Sequence, residues 1–269
     1  MYGLQIAFKN FTPAKGYLGS DWVGFKHFNK FFNSYHFWTL LKNTLFLSIY
    51  HLIVSFPFPI FLALVLNYTP FHKLKKITQT VTYAPYFISM VVMVGMMFVF
   101  FLPTTGIVNV VIRSLGKETI DFLGDPKMFR HMYVWSGIWQ STGWSSIIYI
   151  ATLASVSPEL HEASIVDGAN KFQRIWYIDI PSILPTAVII LILNAGRIMN
   201  VGFEKTFLMQ TASNLSRSEV ISTYVYKVGI MGVQYSYAAA IGLFNNVINF
   251  SVLLIVNKIS NKVADSGLW

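Results

Sequence analysis

The stretch HEASIVDGANKFQRIWYIDIPSILP, His161–Pro185, is a polar and turn-prone segment that lies between two apolar runs of the sequence. The pair Asp167-Gly168 stands in its first half, and Pro181 and Pro185 stand at its end. Most connections between secondary-structure elements are only about 4–6 residues long. A longer connection with helix and turn signals of its own therefore indicates a folded element.

A helix is predicted to begin just before this stretch. Ser157 is a suitable N-cap, Pro158 suits the first helical position, and Glu159 places an acid near the positive end of the helix dipole. After LHEASIV, Gly168 permits the positive φ of a turn. A second short helix is predicted through NKFQRIWYI, with the two prolines at the entry to the next apolar run. The connection 157–182 is therefore predicted to be a helix–turn–helix hairpin.

The composition indicates a polytopic membrane protein. Of 269 residues, 54% are hydrophobic and only 12% are charged, whereas soluble domains carry about 25% charged residues. The net charge is +9, but the basic residues lie between the apolar runs, as in membrane-flanking loops. No basic domain is present to bind nucleic acid, which is excluded as a partner. The absence of cysteine excludes disulfides, thiolate metal sites and thiol catalysis.

Five segments are apolar and long enough to cross a bilayer, which needs about 20 residues. They are Thr44–Leu66, with a kink expected at Pro57 and Pro59, Val81–Leu102, His131–Val156, Ile183–Phe203 and Tyr237–Val256. Five spans put residues 67–80, the hairpin and the C-terminus on one side. Lys73, Lys75 and Lys76 favour the cytoplasm for that side, although the density of Lys and Arg on the two sides is nearly equal and does not settle the orientation.

The hairpin resembles the EAA loop of binding-protein-dependent ABC importer permeases. In that pattern Glu-Ala-Ala is followed by three residues, Gly, nine residues and Ile-x-Leu-Pro. This chain has Glu162-Ala163-Ser164, Gly168 and Ile178-Asp179-Ile180-Pro181 at that spacing, with Ser for the second Ala and Ile for Leu.

Further stretches are similar to the polysaccharide/lipoprotein-type branch of carbohydrate permeases. They are MYGLQIAFKNF, WVGFKHFNKFF, GDPKMF, DGANKFQRIWYIDIP, NVGFEKTFL, STYVYKVGI and the terminal GLW. The resemblance covers nearly the whole chain and implies an all-α type I ABC importer permease fold (MetI-like). It also implies that the hairpin carries a coupling helix seated on a cytoplasmic ATPase. The residues implied in this coupling are Glu162, Ala163, Ser164, Asp167, Gly168, Ala169 and Pro181.

One departure concerns the start of the chain. In the family, the segment like MYGLQIAF usually follows a first transmembrane helix, and the family plan has six spans where five are visible here. The expectation is that the family's first span is absent from this sequence. The predicted organisation is then an external segment 1–43, a transmembrane permease domain 44–256 with the cytoplasmic loop 157–182, and a cytoplasmic tail 257–269.

Polar residues inside the predicted spans are candidates for a substrate pathway, because polar groups in a membrane usually face a cavity or one another. In the fourth span, Arg197, Asn200 and Glu204 fall within about 60° on a helical wheel, and Arg197 and Glu204 could pair. The full candidate set is Trp139, Gln140, Trp144, Asn194, Arg197, Asn200, Glu204, Asn245 and Asn249. Aromatic faces beside amide and guanidinium donors suit a sugar. The alternatives are that the Asn side chains bridge helices, that the Trp side chains anchor at the interface, and that Arg197 reaches to the headgroups.

No catalytic or cofactor motif appears. The chain lacks the G-x-x-x-x-G-K-[ST] phosphate loop. The pair His161-Glu162 is followed by Ile165 where the HExxH zinc motif needs its second His, so no metal site is predicted. The chain is not expected to be an enzyme or to bind a cofactor, and ATP-Mg is expected on a partner ATPase.

The resemblance implies a permease subunit that imports a carbohydrate, an oligosaccharide by expectation, by alternating access. The implied partners are a second similar permease, two ABC ATPase subunits and an extracytoplasmic sugar-binding protein. The implied location is the bacterial cytoplasmic (inner) membrane, which the chain crosses several times. Two rivals stay open: an ion-coupled secondary transporter of small solutes, which needs ionisable groups near mid-membrane, and a membrane enzyme acting on lipid-linked sugars.

Overall fold

A computed structural model describes residues 2–264, and within that range the regular structure is almost entirely helical. The described strands, β1 (Lys9–Asn10) and β2 (Asp21–Trp22), pair antiparallel. The α-helices are α1 (Gly16–Gly19), α2 (Lys26–Phe32), α3 (Phe37–Ser55), α4 (Pro57–Tyr68), α5 (His72–Tyr83), α6 (Met90–Phe101), α7 (Ile107–Ser114), α8 (Pro126–Ala154), α9 (Pro158–Val166), α10 (Lys171–Arg174), α11 (Ile180–Ala195), α12 (Phe203–Met209), α13 (Leu215–Ser218), α14 (Ile221–Tyr226) and α15 (Tyr235–Ala264). Short 3-10 helices cover Tyr2–Phe8 and Ala84–Phe87, and π-helices cover Ile175–Asp179 and Lys227–Met231. The all-α prediction is confirmed.

The described residues form two compact units. The first comprises residues 2–50, 90–133 and 197–252. Its main apolar cluster draws on α2, α3, α14, α15 and the segment after α11, and its buried members are Phe31, Leu40, Met199, Ile221, Tyr237 and Ile241. Aromatic side chains from α2 and α15 meet edge to face in this cluster, as between Phe31 and Phe244 with ring centroids 5.7 Å apart.

The second unit comprises residues 51–89, 134–196 and 253–264. Its apolar cluster joins α4, α8 and α11 through Ala63, Tyr149, Leu153, Ile183 and Ala187, all of them buried. Helix α8 also approaches α5 closely at a glycine. A Cβ at Gly143 would lie only 2.0 Å from the carbonyl oxygen of Thr82. Helix-to-helix packing in this unit therefore depends on small residues as well as on large apolar ones.

Three helical stretches are long and apolar enough to cross a membrane: Phe37–Tyr68, Lys171–Ala195 and Tyr235–Lys262. They overlap the first, fourth and fifth predicted spans, and the second of them begins 12 residues before the predicted Ile183. The first is interrupted at Phe56, before Pro57, as the prolines predict. Only 17–22% of each most apolar window is buried, so most of these apolar side chains face outward, which suits lipid or a partner helix.

Within the described part of the chain, the second and third predicted spans are not found as single long apolar helices. Val81–Leu102 was expected as one helix, but the chain is broken at Ile88–Ser89, and the stretches His72–Phe87 and Met90–Phe101 are bent by 99°. Pro85 lacks a backbone N–H, which accounts for the change from α-helix to the 3-10 helix Ala84–Phe87 just before the break. All but the last two residues of His131–Val156 lie in the 29-residue α8. This helix is long enough but more polar than the three stretches, so its role as a span stays a prediction.

The ends of the last two predicted spans also differ from the sequence-based boundaries. The prediction Ile183–Phe203 is too long, because α11 ends at Ala195 and a turn separates it from α12. In contrast, α15 continues through Ala264, beyond the predicted end at Val256. The terminal residues Gly267, Leu268 and Trp269 lie outside the described residues.

Candidate functional site

The first arm of the hairpin folds as its local signals predict. Helix α9 begins at Pro158, and the Ser157 hydroxyl accepts a hydrogen bond from the backbone N–H of Glu159 at 3.3 Å. The helix ends in a turn in which Gly168 has φ of +80°. The Gly168 N–H donates to the carbonyl of Ile165 at 3.0 Å. A residue with left-handed φ is the usual way to close a helix C-terminus, so this glycine fixes the turn.

The second arm differs from the predicted separate helix. It starts with a capping box, in which the Gln173 N–H donates to the Asn170 side chain at 2.9 Å and the Asn170 N–H donates to the Gln173 side chain at 2.7 Å. From there the helix runs without a break through Ile175–Asp179 into α11. Pro181 was expected to mark a boundary, yet it lies in the first turn of α11. A π-helical turn precedes it, in which hydrogen bonds reach one residue further back than in an α-helix.

The predicted coupling residues lie on the accessible side of this hairpin. Glu162, Ala163, Asp167, Gly168 and Pro181 are exposed, whereas Ser164 and Ala169 are half-buried. Large apolar side chains are exposed among them, with Val166 at 88% and Phe172 at 83%. An exposed apolar rim on a short polar hairpin is typical of a surface that another protein covers.

A polar cluster around the buried Asp179, where the hairpin joins α11, was not predicted from the sequence. Asp179 is completely buried and accepts a hydrogen bond from the Tyr68 hydroxyl at 2.6 Å. His161 approaches the same carboxylate at 3.4 Å. The Arg174 guanidinium stands 5.6 Å from the centre of the Tyr68 ring. An acidic residue inside the apolar run IWYIDIP was the signal, because an isolated acid in such a run needs a partner.

In the first unit, three of the predicted pathway residues take part in hydrogen bonds around the turn after α11. The Asn245 amide donates to the Asn200 side chain at 2.8 Å. The Asn249 side chain accepts from the buried backbone N–H of Met199 at 2.8 Å. The Asn245 carbonyl oxygen is buried without a hydrogen-bond partner, so this acceptor is unsatisfied and closed to solvent.

Arg197 and Glu204 do not share a helix face, which corrects the helical-wheel prediction. Arg197 lies in the turn that follows α11, and Glu204 lies in the first turn of α12. Both side chains are exposed, and no ion pair joins them among the residues that the structure describes. The wheel assumed a continuous helix to Phe203, which the turn interrupts.

In the second unit, two of the predicted pathway residues contact the segment between α5 and α6. The Gln140 amide donates to the carbonyl of Ile88 at 2.9 Å, at the break before α6. Trp144 stacks on Tyr86 with ring centroids 4.6 Å apart and an interplanar angle of 6°. Trp139 on α8 is 50% exposed. Asn194, in the last turn of α11, is also exposed.

A buried lysine was also missed. Lys205 in α12 is 5% exposed, and its Nζ donates to the carbonyl of Tyr133 at 2.7 Å. The same nitrogen lies 4.6 Å from the centre of the Tyr133 ring. Burial lowers the pKa of Lys205 to about 7, because the charged form loses its hydration. The motif NVGFEKTFL contains this lysine next to Glu204, and nothing in its spacing distinguishes it from a surface lysine.

Comparison with known proteins places the chain among transport components. The family model described as "Binding-protein-dependent transport system inner membrane component" matches residues 41–265. Protein LplB of Bacillus subtilis (strain 168) is 42% identical over 269 residues, which are 100% of this chain and 85% of that protein. The polygalacturonan/rhamnogalacturonan transport system permease protein YteP of the same organism is 39% identical, over 100% of this chain and 84% of that protein.

A solved structure resembles the chain along almost its whole length. It is a crystal structure of a bacterial alginate ABC transporter in complex with an alginate pentasaccharide-bound periplasmic protein. The similarity has a TM-score of 0.90 at 38% sequence identity, over 99% of this chain and 88% of the matched chain.

Proposed function

Because the chain belongs to the family of binding-protein-dependent transport system inner membrane components, we propose that it imports an oligosaccharide or polysaccharide fragment by ATP-driven alternating access. The chain is a multi-pass inner-membrane permease component and not itself an enzyme. ATP is bound by a partner ATPase, and an external binding protein delivers the sugar. Two relatives support a glycan as substrate: one transports polygalacturonan or rhamnogalacturonan, and the other is an alginate transporter.

The hairpin is the single observation that carries the mechanism. Its exposed tip between Glu162 and Ala169 stands at the start of a helix that runs from Lys171 to Ala195 without a break. A force applied to the tip therefore reaches a predicted span through a continuous helix. The apolar side chains of Ile165, Val166 and Phe172 are exposed beside the tip, and a groove on the ATPase would cover them. The cytoplasmic position of loop 157–182 follows from this proposal, as do the external segment 1–43 and the tail 257–269.

The proposed substrate pathway is formed by exposed polar and aromatic side chains of the two units. In the first unit, Arg197 and Glu204 offer exposed charged groups, and the exposed Asn200 lies beside them, hydrogen-bonded to Asn245. In the second unit, the exposed face of Trp139 suits the apolar face of a sugar ring. Gln140, Trp144 and Asn249 already hold other parts of their own units, so their part in binding sugar is less supported than that of the other candidates.

The test is uptake by the complete complex in proteoliposomes. Uptake of oligosaccharide that requires ATP inside, and that persists with an uncoupler, is expected of the proposed importer. A panel of neutral and acidic oligosaccharides, each delivered with the binding protein, identifies the substrate class. Uptake that survives ATP depletion and stops with an uncoupler would instead identify the ion-coupled secondary transporter.

A charge reversal tests the hairpin in the same assay. Glu162→Lys places a cation on the exposed tip of α9, and we expect it to lower both ATP-driven uptake and co-purification of the ATPase. Glu118→Lys is the matched control, because Glu118 is also exposed but lies in the first unit, outside the hairpin. Equal uptake by both variants and the unmodified complex would refute the docking role of the hairpin.

A further inference from the structure

The carboxylate of Asp179 lies where three segments of the second unit meet. Its Oδ2 accepts a hydrogen bond from the Tyr68 hydroxyl at 2.6 Å, and its Oδ1 lies 3.4 Å from Nε2 of His161. Tyr68 is the last residue of α4, His161 belongs to α9, and Asp179 ends the π-helical turn before α11. One buried side chain thus contacts the end of one span, the hairpin helix and the start of the next span.

This carboxylate is only partly satisfied. Burial of a carboxylate is costly unless both oxygens find partners. The Tyr68 bond is short, as charge-assisted hydrogen bonds are. Oδ1, however, is buried without a hydrogen bond, because its contact with His161 at 3.4 Å lacks hydrogen-bond geometry. The contact with His161 is therefore the weaker of the two polar contacts that hold this carboxylate.

A buried amide in the first unit shows the opposite situation. Asn214 in the first unit is completely buried, and its amide makes four hydrogen bonds, two as donor and two as acceptor. No oxygen is left without a partner there. Asp179 combines equal burial with an acceptor atom that has no hydrogen bond and lies 3.4 Å from His161 on the hairpin helix.

We propose that Asp179 is a positioning residue for energy coupling, which holds the hairpin helix α9 to α4 through His161 and Tyr68 and so transmits hairpin movement to two spans. The inference rests on the proposed docking of an ATPase at the hairpin. The backbone joins α9 to α8 through residues 155–157 and to α11 through the second arm of the hairpin. The Asp179 contact adds a side-chain link from α9 to α4. If Asp179 has this role, its variants should assemble normally but transport fewer sugar molecules for each ATP hydrolysed.

The experiment compares isosteric substitutions in the complete complex, reconstituted in proteoliposomes with binding protein and sugar. Asp179→Asn removes the charge, Tyr68→Phe removes one hydrogen bond, and His161→Phe removes the other contact. Each is expected to lower the sugar transported per ATP by about fivefold or more, the size of typical coupling between sites. His161→Gln keeps a donor and should restore much of the ratio. The double variant of Asp179→Asn with Tyr68→Phe should fall no further than Asp179→Asn alone, since both act through one contact.

Thr152→Val is the matched control, because Thr152 makes another polar contact in the same unit, to Thr186 at 3.3 Å. It should leave the ratio unchanged. If the Asp179 variant fails to assemble, Tyr68→Phe, which leaves the carboxylate in place, decides the question. An unchanged ratio in assembled Tyr68→Phe and His161→Phe complexes overturns the inference. If Glu162→Lys still lowers uptake in that case, the proposed function stands, whereas ATP-independent uptake by the unmodified complex overturns both.

Discussion

The side-chain oxygen of Asn249 accepts a hydrogen bond from the backbone N–H of Met199 at 2.8 Å, in a buried part of the first unit. Met199 follows the end of α11, where the backbone has lost its helical hydrogen-bonding pattern. A buried N–H without a partner is costly. Asn249 therefore has a structural task, and its position in an apolar helix is explained without a contact to substrate.

Asn249→Leu should destabilise the protein by about 1–3 kcal/mol, because the Met199 N–H would be left buried and unpaired. The apparent melting temperature in detergent measures this effect. Asn249→Gln retains a neutral amide acceptor and should be less harmful. If the leucine variant melts like the unmodified protein but loses sugar uptake, the residue acts on the substrate and the structural interpretation is wrong.

The side chain of Gln140 has a comparable task at the bend of 99° before α6. It donates to the carbonyl of Ile88, which lies in the break between the two helices. Gln140→Leu should therefore lower the melting temperature, by the equivalent of about 1–3 kcal/mol. Trp139→Leu, a change at the neighbouring exposed position of the same helix, should leave it unaltered. Equal melting temperatures of the two variants would contradict the assignment.

Features encoded within a few residues could be predicted from the sequence. The N-cap Ser157 and the turn at Gly168 depend on neighbours in the chain, and both are found. The end of α11 was missed because its stabilising partner, Asn249, lies 50 positions away from Met199. The carboxylate of Asp179 was missed for the same reason, since its partner Tyr68 is 111 positions distant. The first arm of the hairpin could therefore be predicted from neighbouring residues. The end of α11 and the Asp179 cluster could not, because they depend on polar contacts between residues far apart in the sequence.

Helices α8 and α5 approach so closely at Gly143 that no space is left for a larger side chain. A Cβ at Gly143 would approach the Thr82 carbonyl oxygen to 2.0 Å, and this oxygen belongs to the backbone and cannot turn aside. Gly143→Ala should therefore separate the helices and destabilise the protein by about 1–3 kcal/mol. Gly95→Ala is the control, because its Cβ would meet nothing within 4 Å. A drop in melting temperature for Gly95→Ala of the same size would contradict this explanation.

The buried Lys205 predicts how stability depends on pH. Burial lowers its pKa from 10.5 to about 7, so between about pH 7 and 10.5 the unfolded chain binds a proton that the folded chain does not. The contribution of this residue to stability should therefore rise with pH across that window. Lys205→Met has no titrating group and also loses the hydrogen bond to Tyr133, which adds a pH-independent offset. The difference in melting temperature, unmodified protein minus variant, should accordingly increase from pH 7 to pH 9, and a difference that stays constant would show that Lys205 keeps its charge when the protein folds.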